Sequence, residues 1–285
     1  MPLDQLTDED IDTEGKEMSF LDHLEELRWH IIRAAAAILV FTVTAFIFID
    51  DIFEYVLLGP AKTDFWTYRQ MCKLADYTGY ADLCVKKLTF KLQALGLSDQ
   101  FTMSLTSSFF VGLSFAFPYA FWEVWRFIKP GLRQSEKRAA RGAVFFVSLL
   151  FSMGLLFGYF IVSPLAINFL VNYTLSDRIE NNIDITSYIG VIVTLALGCG
   201  LIFQMPIVAF VLSKVGVLTP AFMREYRRHS WIVILVVAGI ITPSPDLYSQ
   251  ILVALPLALL YEISIVVSGR VQKARLKDNE ALMQS

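Results

Sequence analysis

The chain has 285 residues, 55% of them hydrophobic and only 18% charged, with a mean hydropathy of +0.55. An ordinary soluble domain carries closer to a quarter charged residues, so this balance excludes one and points to a polytopic membrane protein. The net charge of −3 gives no basis for nucleic-acid binding.

Residues 1–18 form an acidic tail. They contain no apolar h-region, so the first apolar segment is expected to serve as an uncleaved anchor. At Ser19 the pattern changes. Ser19 followed by Asp22 makes a capping-box-like helix start. Phe20, Leu24, Leu27 and Ile31 then recur at helical spacing. Asp22, Glu25, Glu26 and Arg28 fill the remaining surface. Arg28 lies three residues after Glu25, within reach on a helix, whereas the positions three and four after Glu26 hold only Trp29 and His30. Glu26 is therefore the less satisfied carboxylate. The alternative is an amphipathic surface helix with solvated charges.

Apolar runs of membrane length predict six spans, at about 31–49, 101–128, 143–162, 188–211, 231–241 and 247–267. Each must be helical, because lipid offers no partners for backbone N–H and C=O groups. The expected fold is an all-α bundle, a single membrane domain over 19–270 with a concave face. The loop 58–99 reads as an external cap of short helices. Cys72 and Cys84 lie in it and can form a disulfide if that side is oxidising. The third helix is expected to run past Pro164 toward Tyr173. Gln204 is the main polar residue deep in the fourth span, with the helix-kinking Pro206 beside it. The fifth span is short: about eleven residues reach roughly 17 Å, against about 30 Å of hydrocarbon. Either spans five and six form a short hairpin that sits inside the bundle or thins the bilayer locally, or the fifth helix is tilted and extends back to Arg228. The sixth span opens on Asp246 and Gln250 and contains Pro256.

Basic residues fix the expected orientation. They gather at 129–141 and 214–228, and in the tail 271–285 with its flank at Arg270. These segments share one side only if the spans number six, which places both termini in the cytoplasm. Glu136, near the start of the third helix, then lies on the same surface as Glu26. A carboxylate is favoured there by the helix dipole. Two carboxylates on one face can each grip a guanidinium at two points.

An enzyme is not expected. Ser114 in GLSFA resembles an intramembrane-protease serine, but His23, His30 and His229 all lie at the cytoplasmic margin, leaving it no base. Neither an HExxH motif nor a P-loop occurs, so no metal or cofactor is expected. The remaining alternative is a secondary transporter or channel for a small solute, which would want ionisable residues near the midplane. Nearly all charges here read as marginal.

HLEELR before the first span, F-x-x-P-G-L-x-x-x-E after the second and TPSPDLYSQILVALPLALLYE at the last together resemble the TatC family, the multi-span subunit of the twin-arginine protein translocase. The resemblance covers the chain beyond residue 18. It implies a receptor in the bacterial cytoplasmic (inner) membrane for signal peptides with paired arginines, serving the export of folded proteins. Glu26 and Glu136 match the family's arginine-recognising carboxylates, and Arg28 and Phe127 match residues of the same surface. Gln204 stands where family members commonly have Glu; it cannot titrate, which leaves a polar docking point for partner helices or a structural interhelical hydrogen bond. Asp246 and Gln250 match the surface that receives the small single-span TatA/TatB-like subunits. Self-association and a proton-motive energy source are also implied.

Overall fold

The structure is a computed structural model and describes residues 20–79, 84, 90–128, 142–176, 182–242 and 247–284. Its helices are α1 (Phe20–Ile47), α2 (Trp66–Thr78), α3 (Asp99–Ile128), α4 (Ala143–Phe157), α5 (Ser163–Asn172), α6 (Ile185–Ile202), α7 (Met205–Val215), α8 (Pro220–Glu225), α9 (Arg227–Ile241) and α10 (Leu247–Gln284). Among the described residues, five helical stretches are long and apolar enough to cross a membrane: Glu25–Ile47, Asp99–Phe127, Ala143–Asn172, Ile185–Val215 and Gln250–Ala274. The predicted fifth span is α9, whose 15 residues reach about 22 Å. It begins at Arg227, so the helix does extend back to the basic cluster and still falls short of the hydrocarbon thickness. Large apolar side chains such as Leu39, Val40, Phe115 and Ile240 face outward, as lipid-facing residues do.

One expectation needs correction. The chain is mostly helical but not wholly so: β1 (Lys91–Gln93) pairs in parallel with β2 (Asn182–Asp184), tying the segment before α3 to the segment before α6. Among the described residues of 58–99, α2 is the one helix longer than a single turn, and β1 is a strand. The helix of the sixth predicted span, 247–267, continues beyond it to Gln284.

Proline explains the architecture of the cap. Pro60 has no N–H to give the Val56 carbonyl, and Pro164 has none for Phe160. Both lie beside π-helical turns, Ile52–Leu57 and Gly158–Val162. Side-chain hydroxyls replace the missing donors. The Tyr159 hydroxyl donates to Val56 O (2.6 Å), Tyr188 to Leu57 O (3.0 Å), and Thr67 to Phe160 O. Tyr68 is fully buried and donates to Pro164 O at 2.8 Å, with Pro60 O 3.2 Å away. Burial pushes its phenol above the usual tyrosine range, so it stays a donor. Replacing Tyr68 with Phe should lower the thermal midpoint. The abandoned carbonyl costs about 1–3 kcal/mol, and an unchanged midpoint would show that Tyr68 does not hold the cap.

Helices meet closely where glycine allows it. A Cβ at Gly112 of α3 would stand 2.5 Å from the Thr42 backbone nitrogen of α1. One at Gly158 would stand 2.6 Å from the Leu195 carbonyl of α6. The main core lies between α6, α9 and α10, around Val162, Leu195, Cys199, Ala238, Val253 and Leu257. The Ser213 hydroxyl donates to that of Ser268 (2.7 Å), joining α7 to α10, and Arg227 pairs with Glu262 (2.6 Å), joining α9 to α10.

Candidate functional site

α1 carries the acidic stretch and the first apolar run as one uninterrupted helix, so Glu26 is held at a fixed rotation relative to the apolar face that follows. Glu26 is half-buried, with Oε1 3.9 Å from His30 Nε2. Its neighbour is thus a histidine, a cation only when protonated. Among the described residues no ion pair joins Glu25 to Arg28; both are exposed. The expectation that Arg28 occupies Glu25 is therefore corrected. Two long side chains in water gain little by holding one geometry.

Beside Glu26 runs an apolar groove of about 220 Å³ between α1 and α3. His30, Ala34, Ala35 and Ile38 form one wall, and Val124 and Phe127 the other. The small Ala34 and Ala35 give it depth. The Phe127 ring meets His30 edge-on, with centroids 6.3 Å apart. The structure thus brings Glu26 and Phe127 to one place. Glu136 lies outside the described residues, as does Asp246.

The sequence reading missed the charged centre behind this groove. Glu123 of α3 is buried, and its Oε2 lies 2.5 Å from His30 Nδ1 and 3.1 Å from Arg33 Nε. Arg126 Nη1 stands 3.8 Å from the other oxygen, over the face of Trp122. Glu123 lies four residues from the end of the membrane-length stretch Asp99–Phe127, and Arg33 eight from the start of Glu25–Ile47. An ionisable residue within an apolar run, as in AFWEVWRF, was the available signal. A buried carboxylate needs a cation, and α1 supplies Arg33.

The other predicted polar positions lie elsewhere. Gln204 occupies the break between α6 and α7, just ahead of Pro206, and its Nε2 donates to Val147 O of α4 at 3.2 Å. Its Oε1 is buried without a hydrogen-bond partner among the described residues. Gln250 of α10 donates to Leu235 O of α9 at 3.0 Å, packed over Gly239. Cys72 and Cys84 form a disulfide, and Cys199 is free and buried. Among the described residues no cluster of metal-ligating side chains occurs.

The fold, with its five membrane-length apolar helices, defines a multi-pass helical membrane protein. The model for the Sec-independent protein translocase protein (TatC) matches residues 22–256. The TatC protein of Blattabacterium sp. subsp. Periplaneta americana is 36% identical over 264 residues, covering 92% of this chain and 99% of that protein. That of Koribacter versatilis is 36% identical over 267 residues, covering 93% and 91%. A crystal structure of the twin arginine translocase receptor TatC in DDM superposes with a TM-score of 0.65 at 33% identity, covering 86% of this chain and 99% of that one. The chain belongs to the TatC family of protein translocase subunits, a bacterial transport family rather than a family of enzymes.

Proposed function

We propose that this protein is the twin-arginine signal-peptide receptor and core subunit of a translocase that exports folded proteins. One observation carries the reading: a half-buried carboxylate, Glu26, stands at the head of an apolar groove. A segment with paired arginines followed by an apolar stretch complements both parts. The arginines dock on Glu26 and Glu136, with Arg28 and Phe127 shaping the same surface, and the apolar stretch lies against the bundle.

The polypeptide crosses the bacterial inner membrane six times with both termini in the cytoplasm. The basic segments support that orientation. The short α9 is the fifth crossing and thins the bilayer locally. Gln204, Asp246 and Gln250 receive single-span TatA/TatB-like subunits, and several copies of the chain associate. The family resemblance implies that the energy for passage comes from the proton-motive force.

The direct test is a titration of purified protein in nanodiscs with a fluorescent Arg-Arg signal peptide and its Lys-Lys counterpart. The Arg-Arg peptide should bind at least about tenfold more tightly, because a planar fork matches a carboxylate at two points and an ammonium does not. Equal affinities would defeat the assignment.

A further inference from the structure

We propose that His30 Nε2 is an additional acceptor for an incoming arginine, and that Glu123 is the positioning residue that keeps it one. This rests on the reading of Glu26 as a docking carboxylate.

His30 bridges two acids on two helices. Its Nδ1 lies 2.5 Å from Glu123 Oε2, and its Nε2 lies 3.9 Å from Glu26 Oε1. Glu123 also accepts from Arg33 Nε at 3.1 Å, and a carboxylate held by a guanidinium is ionised. An ionised carboxylate only accepts, so the hydrogen on that short contact belongs to Nδ1. Arg33 Nη2 stands 3.0 Å from the same nitrogen. A protonated Nδ1 has no lone pair to offer, so that approach is a neighbour contact and not a hydrogen bond. In the neutral ring the proton on Nδ1 leaves Nε2 bare. The lone pair of Nε2 then lies on the Glu26 side, at the wall of the apolar groove that His30 lines.

Two acceptors 3.9 Å apart, one charged and one neutral, suit a guanidinium, whose N–H groups diverge in one plane. One N–H goes to Glu26 and another to Nε2. Glu123 never meets the peptide. It acts by fixing which imidazole nitrogen carries the proton, as carboxylates behind metal-bound histidines do. Glu123 is itself buried and Arg33 is spent on it, so this orientation is built in before any ligand arrives.

The test titrates the fluorescent Arg-Arg peptide against wild-type protein, E26Q, H30L, H30Q, E123Q and the double variant H30L/E123Q, all in nanodiscs. H30L and E123Q should each weaken binding about tenfold, the value of one hydrogen bond to a charged group. The double variant should lose no more than H30L alone, because Glu123 works through the imidazole. H30Q restores a side-chain acceptor and should bind within about threefold of wild type. Losses that multiply in the double variant would show Glu123 acting on its own account, and would overturn the proposal. So would wild-type binding by H30L and E123Q while E26Q is weakened. Wild-type binding by E26Q would instead remove the docking reading beneath it. If E123Q does not assemble, the comparison of H30L with H30Q decides, and equal affinities refute the acceptor.

Discussion

Glu26→Gln is expected to weaken binding of an Arg-Arg signal peptide by roughly 30- to 150-fold, while the protein still inserts and assembles. The magnitude follows from what the bound state does to the charge. In the free protein Glu26 is 38% exposed, and water compensates much of its field. A docked peptide displaces that water and leaves the carboxylate facing a guanidinium in a poorer dielectric. Losing one partner of such a pair costs about 2–5 kcal/mol, and the lowest third of that range, about 2–3 kcal/mol, suits a site that is only half-buried. Glu136→Gln should act in the same direction. Photocrosslinking of a precursor to membranes carrying each variant, alongside the nanodisc titration, measures both. Unchanged crosslinking in both variants would sink the two-carboxylate grip.

Gly158→Val should destabilise the bundle by at least about 3 kcal/mol, the upper end for overpacking. The added Cβ would lie 2.6 Å from the Leu195 carbonyl oxygen and 2.7 Å from the Ala196 Cα. Both are backbone atoms of α6 and no rotamer change moves them, so the two helices must part. Parting them opens the core around Val162, Leu195 and Cys199 and loosens the Tyr159 hydroxyl from Val56 O. In a membrane, where helix association relies on close packing rather than on expulsion of water, that loss has little to offset it. A thermal midpoint measured in detergent should fall well below that of wild type, and one equal to it would show that α6 yields freely there. Gly198, with nothing within 4 Å of its added Cβ, is the control: Gly198→Ala should leave the midpoint unchanged.

What was legible in the sequence was what short-range rules decide. Long apolar runs declared the helices, and the run past Pro164 ended at Asn172, one residue before the Tyr173 expected. The polar Gln204 beside Pro206 did mark a break in the fourth helix. The β1–β2 pair was invisible, because each strand has three residues and its partner lies 91 positions away. The Glu123–His30–Arg33 cluster was missed for a related reason. Each residue has an ordinary local explanation, and only the packing of α1 on α3 puts the three side chains in one place. Glu26 is the less satisfied carboxylate in the sequence, and in the structure its neighbour is the imidazole of His30, one turn further on. The site motifs themselves were readable, but the groove beside Glu26 was not. It depends on alanines at 34 and 35 facing Val124 and Phe127 from another helix.

The unbroken α10 has a mechanical consequence. Its 38 residues make a rod about 57 Å long, nearly twice the roughly 30 Å of hydrocarbon it must cross. One end carries Gln250, seated on α9, and the stretch beyond Ser268 carries Arg270 and Lys273. A rod of that length is a lever. A tilt of about 10° at one end sweeps the other through about 10 Å. Glu262 is tied to Arg227 of α9 and Ser268 to Ser213 of α7, so a displacement of the rod is passed to both neighbouring helices.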